Sequence, residues 1–148
     1  MAGDGGGRMS GGRMSGRRRL PAELRHPLFV AGVAIYLALI LYKTGSPLVA
    51  GWPRPPALLR AHLADALALP LLLTLELWLL RRYYFRRPAF VLPTSWVFST
   101  WLVFSLWFEG LLPYLDARAT ADWRDVLAYA LGGLVFGCWL NRPAAPLA

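Results

Sequence analysis

Glu109, Arg118, Asp122 and Asp125 fall within one short run, Phe-Glu-Gly-Leu-Leu-Pro-Tyr-Leu-Asp-Ala-Arg-Ala-Thr-Ala-Asp-Trp-Arg-Asp, residues 108–125. The chain carries 8 acidic residues, and half of them (Glu109, Asp116, Asp122, Asp125) lie in this run. Carboxylates grouped with a guanidinium can pair, hold a proton or bind a hard cation such as Mg²⁺ or Ca²⁺. The run also joins two strongly apolar stretches. Ionisable groups at membrane depth are costly and tend to mark working sites.

The elements that hold these groups follow from composition. Apolar residues make up 57% of the chain and charged residues 16%, against roughly 25% charged in soluble domains. The 7 Trp and 6 Tyr suit anchors at bilayer interfaces. The reading is an all-α membrane protein, a four-helix transmembrane bundle with helices near 26–43, 58–80, 89–112 and 122–141. The first and fourth apolar runs are short for a span, so a three-span variant with one of them interfacial is the alternative. Residues 1–20 form a Gly/Arg/Ser-rich basic tail that lacks the apolar content to order itself, and 21–148 form a single membrane domain. Met9 and Met14 are alternative starts, and no small-residue cleavage site follows the first apolar run.

The net charge of +8 is placed as a membrane protein places it. Arg8, Arg13, Arg17, Arg18, Arg19 and Arg25 precede the first apolar run, and Arg81, Arg82, Arg86 and Arg87 separate the second from the third. By the positive-inside rule these flanks are cytoplasmic, which predicts both termini inside and the 43–60 and 113–124 loops outside. The lipid bilayer is the expected partner. No groove-reading motif or stacking platform supports nucleic-acid binding. Cys138 has no partner at metal or redox spacing and reads as a buried, inert thiol. No nucleophile is visibly paired with a base, so the chain is not read as an enzyme.

That topology carries the site beyond the acidic run. His62 and Asp65 open the second helix three residues apart, on one face and at the same external end as Glu109, Arg118, Asp122 and Asp125. Asp65 and Glu76 are eleven apart and share a face, extending a polar stripe past a kink at Pro70. For Glu76, pairing with Arg81 or Arg82 is the alternative. Asp122 also reads as an N-cap, with Asp125 in a capping-box position and Tyr129 one turn further on as its hydrogen-bond partner. A transport or ligand site would draw on His62, Asp65, Glu76, Glu109, Arg118, Asp122, Asp125 and Tyr129. A metal ion would draw on Asp65, Glu109 and Asp125, and the spacing does not select between Mg²⁺ and Ca²⁺. Gly132, Gly133 and Gly137, including the Gly133-Leu-Val-Phe-Gly137 pattern, are expected at helix contacts, inside the bundle or in a homodimer.

Several motifs together resemble a known family. They are His26-Pro27-Leu28-Phe29, His62-Leu-Ala-Asp65 with Pro70, Phe108-Glu109, Leu112-Pro113, Thr120-Ala-Asp122, Asp125-Val-Leu, Tyr129-Ala-Leu-Gly132, Phe136 and Asn141-Arg-Pro143. The chain from 26 to 143 resembles small bacterial membrane proteins, mainly of Bacteroidetes, labelled magnesium citrate secondary transporters. The second half also resembles the VanZ-like group, which is linked to glycopeptide resistance. There Glu109, Arg118, Asp122, Asp125 and Gly132 match, while Leu112 and Tyr129 stand where that group commonly has Gln and Asn. The first resemblance implies secondary transport of a metal-complexed anion across the bacterial inner membrane, with Mg²⁺ as a co-substrate. The second implies an envelope protein that recognises a lipid headgroup, a cell-wall precursor or a glycopeptide. A non-catalytic membrane interaction subunit, its acids serving as caps and ion pairs, is the third reading.

Overall fold

The computed structural model describes residues 21–53, 55–116 and 121–143, so the 1–20 tail and Arg118 lie outside it. Among the described residues the chain is helical, with no strands. Helix α1 is Pro27–Lys43, α2 is Ala57–Leu79, α3 is Thr94–Ser105 and α4 is Trp123–Val135. Wider π-helical turns extend α2 (Leu80–Tyr84), α3 (Leu106–Leu111, then an α turn Leu112–Leu115) and α4 (Phe136–Leu140).

Local chemistry sets the ends. His26 caps α1 by accepting the Leu28 N–H on Nδ1, with Pro27 in the first turn, where its missing donor costs nothing. The chain leaves α1 through Gly45, whose φ of 67° favours glycine. Asp122 caps α4, its Oδ1 accepting the Arg124 N–H at 3.0 Å. α3 begins at Thr94 rather than near 89, because the preceding strand of chain is tied elsewhere. The Asn141 side chain donates to the Leu92 carbonyl and accepts the Leu92 N–H, both at 2.8 Å, and Pro93 forces the break. Arg81 makes a second tie at this end. It is buried and bonds the Glu23 carboxylate at 2.8 Å and the carbonyls of Phe90 and Arg142. Glu76 is therefore not its partner, contrary to the alternative raised by the spacing.

α2 and α4 run parallel, and their seam is the tightest in the bundle. Pro70 lacks the N–H that would bond the Ala66 carbonyl, so that carbonyl is left facing outward from the helix ladder. Gly132 packs into the resulting notch. A Cβ there would collide with the Ala66 oxygen and lie 2.7 Å from Pro70 Cδ. Gly133 sits beside Leu69 at ordinary contact distance. Below the notch, Leu69, Leu73, Leu77 and Phe136 have no solvent exposure. α1 packs on the other flank of α2, with Gly32 against Leu71, and α3 packs on α4.

Two details differ from expectation here. Gly137 has nothing near its missing Cβ and lies on the exposed face, so the Gly133–Gly137 pattern is not an internal helix contact, and of its two alternatives only contact with a second copy would use Gly137. Inside the chain the adjacent pair Gly132 and Gly133 lines the seam. Cys138, in the same turn, is exposed rather than buried.

Two helices, Ala57–Tyr84 and Thr94–Leu115, are long and apolar enough to cross a membrane by length and composition. α1 is apolar but shorter, and four spans are not shown. The outer faces are apolar too. In Thr94–Leu115 only 6% of the most apolar stretch is buried, and Val103, Leu106, Leu131 and Leu134 are more than half exposed.

The seam makes a direct expectation. Gly132→Ala should lower the thermal unfolding temperature of the purified protein, at a cost of about 1–3 kcal/mol for overpacking against a backbone carbonyl. Gly137→Ala should leave it unchanged. Equal behaviour of the two variants would refute the notch.

Candidate functional site

The parallel register of α2 and α4 pairs the polar residues of their first turns. His62 and Asp65, three apart on α2, face Asp125 and Tyr129, four apart on α4. His62 Nδ1 and Asp125 Oδ1 are 2.6 Å apart, both side chains about four-fifths buried. The Tyr129 hydroxyl reaches Asp65 Oδ1 at 3.4 Å, a long contact. The spacing pointed Tyr129 at Asp125 instead. It fails because Asp125 turns across the seam to His62 and leaves Tyr129 to the other α2 acid. Edge-on contact with Phe104 and a tilted contact with Phe108 then lock the Tyr129 ring against α3.

Glu109 arrives from the π-helical turn of α3. Its Oε2 accepts the Asp122 N–H at 2.6 Å. In a capping box, the acid at the third helical position reaches back to the N-cap N–H. Asp125 holds that position in α4 but is engaged with His62. Glu109 does the job across the loop instead, which ties the end of α3 to the start of α4. Lys43, at the end of α1, lies within electrostatic reach of Asp65. Asp65, Asp122 and Asp125 in turn lie within reach of Glu109.

His62, Asp65, Glu109, Asp122, Asp125 and Tyr129 thus meet at one end of the bundle. Arg118 lies outside the described residues. Glu76 is elsewhere, about 16 Å further along α2 at ~1.5 Å per residue. It is half-buried, with the fully buried Leu69 and Leu73 in the turns that separate it from Asp65. The stripe from Asp65 to Glu76 is therefore not a continuous polar path.

The metal set also differs from expectation. His62, Asp122 and Asp125 each offer a ligand atom, and these atoms lie within 4.8 Å of one another. Asp65 and Glu109 are committed to Tyr129 and to the Asp122 N–H. Asp122 was legible as a cap, and it is one, and it also offers a carboxylate oxygen to the cluster. Lys43 was missed as a neighbour of the site, because nothing in the spacing brings the end of α1 to Asp65.

The fold and site define a class: a small helical protein with apolar outer faces and a histidine–carboxylate cluster at one end. No family model, curated protein or solved structure matches the chain.

Glu109→Ala should strand the Asp122 N–H and destabilise the protein by about 1–3 kcal/mol, whereas Glu109→Gln keeps an acceptor and loses less. Thermal unfolding of both variants checks this, and an Ala variant as stable as wild type would break the link between α3 and α4.

Proposed function

We propose that the chain is a multi-pass membrane protein whose histidine–carboxylate cluster receives a divalent cation, alone or complexed to a small anion of the magnesium citrate type. The observation that carries this reading is the convergence of His62, Asp122 and Asp125 ligand atoms within 4.8 Å, at the end of a bundle with apolar outer faces. Lipid is the solvent that such faces suit, since soluble monomers rarely expose apolar patches of this extent. The Arg-rich flanks orient the cluster to the external side, with both termini cytoplasmic. α1 spans about 25 Å at ~1.5 Å per residue, so it crosses only a thinned bilayer.

The sealed core bears on passage. Leu69, Leu73 and Phe136 close the bundle beneath the cluster, so a solute does not travel down the middle of one chain. Transport on this reading runs along an interface between two copies. The same plug favours the second reading, a VanZ-like envelope protein that recognises a headgroup, precursor or glycopeptide at the surface without moving it.

Uptake into proteoliposomes separates the two. Transport predicts citrate uptake that requires Mg²⁺ and falls at least tenfold in Asp125→Asn, in line with removal of an intramembrane acid that carries function. Absence of flux in wild type, with altered glycopeptide sensitivity on deletion, would replace it with the envelope reading.

A further inference from the structure

We infer that the His62–Asp122–Asp125 cluster selects a transition-metal ion of the Zn²⁺ class over Mg²⁺. This rests on the cation-receiving reading above and specifies its ligand. One imidazole nitrogen and two carboxylate oxygens lie within 4.8 Å of one another, contributed by two helices whose register the Gly132 notch fixes. Mg²⁺ and Ca²⁺ take oxygen ligands, whereas imidazole suits Zn²⁺, Ni²⁺ and Cu²⁺. A ring nitrogen at the centre of the set therefore points away from Mg²⁺.

A second observation points to a polar occupant. The Ser105 hydroxyl is 8% exposed and has no hydrogen-bond partner among the described residues. Thr74, Ser99 and Thr100 each return their hydroxyl to the carbonyl four residues earlier, which is how a helical hydroxyl is ordinarily satisfied. Ser105 stands at the start of the π-helical turn and does not. Its height on α3 is bracketed. Trp101, one turn below, donates to the Val126 carbonyl, and Glu109, one turn above, accepts from Asp122. Ser105 therefore lies level with the first turn of α4, where Asp125 stands. A water on the bound ion supplies the missing partner.

Loading balances without any other reactant. The ion enters between His62 Nδ1 and Asp125 Oδ1, 2.6 Å apart, and the ring proton that lay there moves to Nε2, so the imidazole stays neutral. The ring nitrogen and carboxylate oxygen that held it become ligands, with Asp122 as the third.

Calorimetric titration of the purified protein with Zn²⁺ and with Mg²⁺ tests this. Zn²⁺ should bind at least about tenfold more tightly than Mg²⁺. His62→Gln should cost Zn²⁺ affinity about tenfold or more and leave Mg²⁺ affinity nearly unchanged, and Ser105→Ala should weaken Zn²⁺ by a smaller factor. The Mg²⁺ titration also reports whether each variant is folded. A Co²⁺ absorption spectrum of wild type, with nitrogen–oxygen ligand-field bands, gives support that needs no variant. Mg²⁺ binding equal to or tighter than Zn²⁺, or a His62→Gln variant with wild-type Zn²⁺ affinity, overturns the inference alone. Binding of neither ion overturns the cation-receiving reading with it.

Discussion

The bundle depends on a carbonyl that Pro70 leaves without its helical partner. An unpaired carbonyl between apolar helices is costly, and a side chain laid over it would only hold the helices apart. Glycine solves the steric part. Gly132 brings the α4 backbone against Ala66 and Pro70, and the neighbouring Gly133 lets Leu69 close in beside it. Helices α2 and α4 run in the same direction, and they meet here without an intervening side chain. Everything at the polar end follows from that register, because it sets His62 against Asp125 and Asp65 against Tyr129.

The polar end is built from crossed obligations. The N-terminus of α4 needs its leading N–H groups satisfied, and its own third-position acid would ordinarily share the work. Here Asp125 is drawn away to His62, and Glu109 substitutes from α3. The result is a chain of contacts through three helices, with Lys43 of α1 at its edge. At the opposite end, Arg81 binds Glu23, Phe90 and Arg142 together, so both ends are tied while the middle is plain hydrocarbon packing. A site at one end above a closed core suits capture of a ligand more directly than conduction through the chain.

Much of this was legible in the sequence, and the failures have physical causes. The order and position of four apolar segments, the Asp122 cap and the convergence of His62, Asp65, Glu109 and Asp125 could be read from spacing and charge placement. The partner choices could not. Helical spacing says that Asp125 and Tyr129 share a face, but not that a histidine on another helix competes for the acid and wins. The Gly133–Gly137 pattern left contact inside the bundle and contact with a second copy both open, and inside the chain it is Gly132 and Gly133 that line the seam. Glu76 fits the Asp65 stripe by angle alone, and the buried leucines between them cannot be seen without the fold. The start of α3 moved because Asn141, nearly fifty residues later, takes both backbone hydrogen bonds of Leu92.

The central claim is that α2 and α4 form one polar unit through His62 and Asp125. A double-mutant cycle on thermal stability, with His62→Ala, Asp125→Ala and the double variant, measures it most directly. The account predicts an interaction energy on the order of 1–3 kcal/mol, so that the second substitution costs far less once the first is made. Additive costs would show that the two side chains do not act together, and would contradict it.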